Sequence, residues 1–142
     1  MDVQGLYFED LSVGQTAELT HTASEAAIRA FAEVSGDTNP VHLDEAYAAG
    51  TPFGGRVAHG MLAAAYISAV LGVRLPGPGS TYLKQSVRFR RPVRVGDEVT
   101  AQVTVKALDA ANGFVTLATV CKVQGKTVVD GEALVKAPRR PA

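Results

Sequence analysis

The segment His59-Gly60-Met61-Leu62-Ala63-Ala64-Ala65-Tyr66-Ile67-Ser68-Ala69-Val70-Leu71 decides the fold, because it is apolar on almost every side. A helix without a polar face is normally buried inside a protein instead of lying on its surface. The many alanines of this segment also let another backbone approach closely. The sequence therefore predicts a buried central helix over 59–71, followed by a turn without regular secondary structure at Pro76-Gly77-Pro78-Gly79.

The chain after this helix is rich in strand patterns. Four segments combine alternating polarity or β-forming residues with turn residues between them, namely 81–90, 99–105, Phe114–Val123 and 127–136. A shorter segment, 15–22, has the same character before the helix. We therefore predict the α+β class, with a single antiparallel β-sheet wrapped around one long central helix. Such a sheet leaves edges to cover, which favours dimerisation.

A second helical pattern precedes the central helix. A semi-apolar face at helical spacing over 28–35 predicts a helix that ends near Gly36. Thr22 and Glu25 have the spacing of a capping box at its start. We expect residues 44–50 to form a short helical turn.

The composition is that of a globular protein, with 142 residues, 46% hydrophobic residues, 20% charged residues and a net charge of zero. We expect one domain over 1–142, in which the terminal segments 1–11 and 137–142 are either ordered or frayed. Zero net charge gives no overall attraction to nucleic acid or to anionic membranes. The chain start has no basic signal region, and the apolar run 61–73 is too short to span a bilayer. A cytoplasmic protein without nucleic-acid or membrane partners is the expectation.

Metal ions and cofactors are not expected. The three histidines and one cysteine show no metal-ligand spacing, and the chain contains neither a P-loop nor a dinucleotide fingerprint. Cys121 lies in an apolar run, where a buried thiol without a catalytic role is expected.

The segment Ser35-Gly36-Asp37-Thr38-Asn39-Pro40-Val41-His42 holds the side chains best suited to chemistry. Pro40 fixes its own φ and biases Asn39 away from helix, so a rigid, non-repetitive turn should hold Asp37 and His42. A carboxylate and an imidazole together can activate a water and move a proton near neutral pH. From the residues alone, a turn aspartate and a satisfied polar histidine remain an alternative.

The central helix offers two further polar features. Gly60 would present a free helix N-terminal N–H to a developing oxyanion, although it could equally serve only tight packing. Ser68 is a lone hydroxyl that could orient a catalytic side chain or bond back to its own backbone. We expect His59 to anchor a loop.

In order along the chain, these motifs resemble the MaoC-like dehydratases, and among them most closely the (R)-specific enoyl-CoA hydratases. The resemblance rests on Ser35-x-Asp37-x-Asn39-Pro40-x-His42, His59-Gly60-Met61, Leu75-Pro76-Gly77-x-Gly79-Ser80, Phe89-x-x-Pro92-Val93-x-Val95-Gly96-Asp97 and Gly131-Glu132-Ala133-x-Val135-Lys136. It implies a hot-dog fold and a homodimer whose sheets join edge to edge, with the active site near the subunit interface.

The resemblance also implies roles for particular residues. Asp37 and His42 would be the catalytic pair, Gly60 the amide that binds the thioester oxygen, and Ser68 and Asn39 supporting residues. Leu71 and Val129 would lie near the acyl tail. The implied reaction adds water to a trans-2-enoyl-CoA and gives (R)-3-hydroxyacyl-CoA, with the CoA thioester as the substrate and no cofactor.

Four arginines cluster at Arg88, Arg90, Arg91 and Arg94. Guanidinium groups suit the phosphates of CoA, for which Arg88 and Arg90 are the expected contacts, although a solvated strand face is the alternative. Four other readings share the fold: an acyl-CoA thioesterase, an acyl-carrier-protein 3-hydroxyacyl dehydratase, a non-enzymatic acyl-CoA-binding module, and one subunit of a heteromeric dehydratase. The paired Asp37 and His42 argue against the thioesterase and the heteromeric subunit, whereas the choice between CoA and an acyl-carrier protein stays open.

Overall fold

The computed structural model describes residues 4–142 and places five antiparallel strands around one long helix. The elements after a short 3-10 helix at Phe8–Asp10 are β1 (Thr16–Thr22), α1 (Glu25–Ser35), α2 (Pro40–Leu43), α3 (Glu45–Ala49), α4 (Gly60–Val73), β2 (Thr81–Phe89), β3 (Glu98–Asp109), β4 (Phe114–Val123) and β5 (Lys126–Lys136). The strand order is β1-β3-β4-β5-β2. The prediction of an antiparallel α+β fold is confirmed.

The helix α4 is the predicted central helix, with His59 as its N-cap and Val73 as its last residue. The side chains that it buries against the sheet are Leu62, Ala63, Ala64, Tyr66, Ile67, Val70 and Leu71. The facing strand β3 buries every second residue from Val99 to Val105, as the alternation predicts. Within residues 4–142, no helix combines the length and the apolarity needed to cross a membrane.

The start of α1 differs from the prediction. Ser24 is the N-cap, and its Oγ accepts the backbone N–H of Ala27 at 3.1 Å. Thr22 is still part of β1, and the carboxylate of Glu25 binds Arg56 instead of the backbone before the helix. The predicted capping box at Thr22 and Glu25 is therefore wrong, because the helix begins two residues later than predicted and Glu25 is its first residue instead of its third.

The segment after α1 is more regular than predicted. Gly36 ends α1 with φ at +78°, a conformation that favours glycine. Pro40 then begins the one-turn helix α2, and Asn39 caps it through its Oδ1, which accepts the N–H of Val41 at 3.2 Å. Proline suits the first helical position, where its missing N–H has no partner to lose. His42 thus sits on a helical turn and not on the predicted non-repetitive one.

Both ends of the chain pack on the sheet. Phe8 is buried, and its N–H donates to the carbonyl of Pro138 at 2.8 Å. Apolar burial and ion pairs hold residues 6–11 and 137–140, so these residues take the ordered one of the two expected alternatives. Residues 1–3 of that expectation lie outside the described residues.

Candidate active site

A cavity of about 620 Å³ opens at the N-terminus of α4. The segment from Asp37 to His42, the loop before α4, and the chain after β2 surround it. The predicted site residues that line it are Asp37, Asn39, His42, Gly60, Arg90 and Val129. Most of the predicted site therefore converges on one opening.

The predicted catalytic pair, Asp37 and His42, is held at a defined spacing. The Nε2 atom of His42 lies 3.9 Å from Oδ2 of Asp37. The other carboxylate oxygen, Oδ1, accepts the backbone N–H of Asn39 at 3.2 Å, which leaves Oδ2 to face the imidazole. The gap is too long for a direct hydrogen bond, but one water can bond to both atoms at ordinary distances. Asn39 therefore supports Asp37 through its backbone and α2 through its side chain.

The hydrogen bond on the far side of the His42 ring fixes its tautomer. Nδ1 lies 2.7 Å from the carbonyl oxygen of Val57, and this ring is buried. A carbonyl can only accept, so Nδ1 carries the hydrogen. In the neutral ring, Nε2 then presents a lone pair on the side of Asp37. This arrangement orients a base and does not merely bury a histidine.

His59 joins the two catalytic residues. Its Nε2–H donates to the backbone carbonyl of Asp37 at 2.9 Å, and its ring stacks on His42 with the ring centroids 3.8 Å apart. His59 does anchor a loop, as expected from the sequence, but the anchored loop is the one that carries Asp37. Its contact with His42 was not predicted, since no sequence spacing indicates it.

The amide of Gly60 is available at the opening of α4. Its N–H makes no hydrogen bond within residues 4–142, as is usual for the first helical position. A Cβ at this position would lie 2.6 Å from two atoms of the Phe89 ring. Any larger residue at position 60 would therefore force the Phe89 ring to move, whereas glycine lets this ring pack closely and leaves the Gly60 amide open to the cavity.

Asp37, His42 and His59 each offer one possible metal ligand within 4.8 Å of the others. The two rings are stacked at an interplanar angle of only 28°, and each already uses one nitrogen on a backbone carbonyl. Imidazole lone pairs lie in the ring plane, so an ion shared by both rings would be far out of at least one plane. The donor set suits proton transfer better than metal binding.

Comparison with known proteins identifies the family. Residues 10–123 match the family model described as a MaoC like domain. The chain belongs to the MaoC-like dehydratase family. It is 56% identical over 134 residues to an (R)-specific enoyl-CoA hydratase of Rhodospirillum rubrum, covering 94% of this chain and 93% of that one. It is 50% identical to a 3-hydroxybutyryl-CoA dehydratase of Methylorubrum extorquens, with 98% and 88% of the two chains covered.

Solved structures agree with this membership. The unliganded R-hydratase of Pseudomonas aeruginosa superposes with a TM-score of 0.91 at 49% identity, covering 97% of this chain and 89% of that one. The (R)-hydratase of Aeromonas caviae gives a TM-score of 0.89 at 50% identity, with 92% and 99% covered. The hot-dog fold implied by the sequence resemblance is confirmed.

Two predicted residues of this MaoC-like chain lie away from the cavity. Ser68 is exposed beside Tyr82 and Leu83 in a separate groove, and Leu71 is 2% exposed in the main core. At a rise of about 1.5 Å per residue, Ser68 lies about 12 Å along the helix from Gly60, and Leu71 farther still. Their proposed roles as supporting residue and acyl contact receive no support from this geometry.

The arginines divide in the same way. Arg90 lines the cavity, and its Nε bonds both carboxylate oxygens of Asp130 at 3.1 and 3.2 Å. Arg88 does not line the cavity, whereas Arg91, another member of the arginine cluster, does. Arg94 holds the loop before α4 by donating to the carbonyl of Gly55 at 3.2 Å. The sequence showed the cluster but not which members face the opening.

Cys121 is fully buried in the hot-dog core, with its Sγ 3.3 Å from the carbonyl oxygen of Ala63. Burial raises the pKa of this thiol to about 12. A thiol that stays protonated is a poor nucleophile, so the chemistry of the chain does not run through Cys121.

Proposed function

We propose that this chain is a hydro-lyase that adds water reversibly to a trans-2-enoyl-CoA and gives the (R)-3-hydroxyacyl-CoA. The observation that carries the proposal is the 3.9 Å separation of Asp37 Oδ2 and His42 Nε2 beside the free amide of Gly60. The names of the R. rubrum and M. extorquens relatives support the same reaction.

The pair acts on one water held between Asp37 and His42. The water oxygen attacks C3 of the enoyl group while the pair takes one of its protons. The pair then delivers a proton to C2, so one molecule of water is added and the protein returns to its starting state. Positioned acid–base groups of this kind contribute typically about 10²–10⁴-fold to a rate.

The Gly60 amide supplies the third requirement. Attack at C3 pushes electrons onto the thioester oxygen, and a donor aimed at that oxygen stabilises the enolate-like charge. The N-terminus of α4 adds its own partial positive charge. Attack, protonation and charge stabilisation are then all assigned to groups of this chain, and the proposal includes neither a metal ion nor a redox cofactor.

CoA is the proposed carrier and Arg90 its proposed phosphate contact. Arg90 is bound to Asp130 but remains largely exposed at the cavity, so the pair can open toward a phosphate. Val129 lies in the cavity lining and is the proposed acyl contact. Because CoA thioesters are intracellular metabolites, we also propose a cytoplasmic location, to be checked by cell fractionation.

A homodimer is part of the proposal. The edge strand β2 exposes Tyr82, Leu83 and Phe89 at 41%, 46% and 54%, and the α4 residue Met61 beside it is 55% exposed. Apolar edge strands of this kind are usually covered. We expect sedimentation at twice the monomer mass and a shift toward monomer for Leu83→Glu. Val13→Glu, at an apolar site that is 65% exposed and lies away from this edge, should leave the mass unchanged.

The test of the function uses purified full-length protein and crotonyl-CoA. Loss of the enoyl-thioester absorbance, with a product oxidised by an (R)-specific 3-hydroxyacyl-CoA dehydrogenase, is the expected result. Product accepted only by an (S)-specific dehydrogenase would contradict the stereochemistry. Release of free CoA from saturated acyl-CoA without hydration would replace the proposal with a thioesterase. Activity confined to substrates on an acyl-carrier protein would show that this carrier protein, and not CoA, carries the acyl group.

A further inference from the structure

Arg56 lies directly behind His42, outside the lining of the cavity. Its side chain is 13% exposed, and Nε donates to the backbone carbonyl of His42 at 2.7 Å. Nη1 binds Oε2 of Glu25 at 2.6 Å. Arg56 therefore connects the first turn of α1 to the catalytic histidine.

The helix α2 needs such a partner because it is only one turn long. The last four carbonyls of a helix receive no hydrogen bond from within the helix, and α2 has only four residues. Its carbonyls therefore need donors from elsewhere in the chain. The carbonyl of Val41 accepts the N–H of Val57 at 3.2 Å, and the carbonyl of His42 accepts Arg56. The carbonyl of Val57 in turn binds the His42 ring at 2.7 Å. The consecutive residues Arg56 and Val57 thus hold His42 together, Arg56 through the backbone carbonyl and Val57 through the imidazole.

We infer that Arg56, fixed by Glu25, is a positioning residue that sets the direction of the His42 imidazole toward Asp37. This inference rests on the proposed hydration. The guanidinium touches neither the cavity nor the reacting atoms, so it acts through His42. The remaining Nη2 is buried without an acceptor in the part of the chain that the structure describes, so the Nε and Nη1 bonds alone fix the group.

The chain contains a matched control for this contact. Arg29 also binds Glu25, with Nε 2.5 Å from Oε1, but it is 57% exposed and does not reach His42. A variant at Arg29 therefore disturbs the same glutamate without touching the catalytic turn. A lysine at position 56 keeps a positive charge for Glu25. Its single ammonium group lacks the planar, two-sided geometry with which the guanidinium reaches both Glu25 and the His42 carbonyl.

The experiment measures kcat and KM on crotonyl-CoA for Arg56→Gln, Arg56→Lys, Glu25→Gln, Arg29→Gln and the double variant Glu25→Gln/Arg56→Gln. For Arg56→Gln we expect kcat to fall by about tenfold to a hundredfold with KM within about twofold, as expected for misplaced catalytic groups. Arg56→Lys should lose nearly as much, and Arg29→Gln should stay near wild type.

The double variant separates positioning from a general loss of structure. If Glu25 acts through Arg56, the double variant should be no slower than Arg56→Gln, because coupled residues are not additive. Wild-type kcat in a folded Arg56→Gln or Arg56→Lys protein would overturn the inference, as would additive losses in the double variant. If Arg56→Gln does not fold, Arg56→Lys and Glu25→Gln decide. Failure of the wild type to hydrate crotonyl-CoA would instead count against the proposed function.

Discussion

The imidazole rings of His42 and His59 stack with their centroids 3.8 Å apart, and His59 also donates to the backbone carbonyl of Asp37 at 2.9 Å. One buried side chain therefore supports both members of the catalytic pair. His59 is also the N-cap of α4 and directly precedes Gly60. The positions of Asp37, His42 and the Gly60 amide therefore all depend on the N-terminus of the central helix.

Two substitutions of His59 separate its two contacts. His59→Phe keeps a ring against His42 but removes the donor to Asp37, and His59→Gln keeps a donor but removes the ring. We expect each to lower kcat on crotonyl-CoA by about tenfold or more, because small displacements of reacting groups can cost about a hundredfold. Circular dichroism and thermal unfolding control for folding. Unchanged kcat in both folded variants would show that neither contact positions the pair.

Gly60→Ala tests the packing at the opening of α4. The new Cβ would lie 2.6 Å from the Phe89 ring, so that ring must move. We expect a loss of about 1–3 kcal/mol in the free energy of unfolding, the usual effect of overpacking. Adding Phe89→Leu should recover part of it in urea denaturation. A Gly60→Ala protein as stable as wild type would mean that Phe89 shifts without strain.

Gly131 and Gly72 make a second stability comparison. A Cβ at Gly131 would lie 1.8 Å from the carbonyl oxygen of Ser86 on the neighbouring strand, whereas nothing lies within 4 Å of one at Gly72. Gly131→Ala should separate β2 from β5 and destabilise the chain by more than about 4 kcal/mol. Gly72→Ala, in the helix α4, should stabilise it by about 0.5–1 kcal/mol. Similar unfolding midpoints for the two variants would contradict this account of the sheet.

The ion pair of Glu25 predicts a pH dependence of stability. The hydrogen bond from Arg56 holds the pKa of the Glu25 carboxyl below its usual value of 4.5. The folded state therefore binds this proton less readily than the unfolded state, so the contribution is complete above the unfolded pKa and is lost as the pH falls through the folded one. Urea midpoints of wild type and Glu25→Gln should differ by a constant amount near neutral pH and converge in acid. A difference that grows in acid has the wrong sign.

The central helix and the strands could be predicted because their signals are local. The apolar run of α4 and the alternation of β3 are written in consecutive residues, and the prediction for β4 has the observed bounds. The capping box failed because Thr22 continues β1 and α1 begins only at Glu25, with Ser24 as its N-cap. The bond of Glu25 to Arg56, 31 residues away, could not be predicted either. Contacts over that distance leave no periodic trace in one sequence.

The site divides in the same way. Asp37 and His42 belong to one short motif and Gly60 to another, both of which are recognisable in the sequence. The structure brings the three residues together at one cavity. Leu71 was placed by the resemblance alone and Ser68 by its lone hydroxyl together with the resemblance, and the rise of α4 carries both away from the cavity. His59 and Arg56 matter through hydrogen bonds to backbone carbonyls, which depend on the folded path of the chain and not on residue type.

The central claim is tested most directly by the turnover of Asp37→Asn on crotonyl-CoA beside wild type. The Asp37 side chain is 51% exposed, and the asparagine Oδ1 can still accept the N–H of Asn39, so the fold should be retained. The account predicts a loss of about a hundredfold or more in kcat, because the amide cannot take a proton from water. Wild-type turnover by a folded Asp37→Asn protein would contradict it.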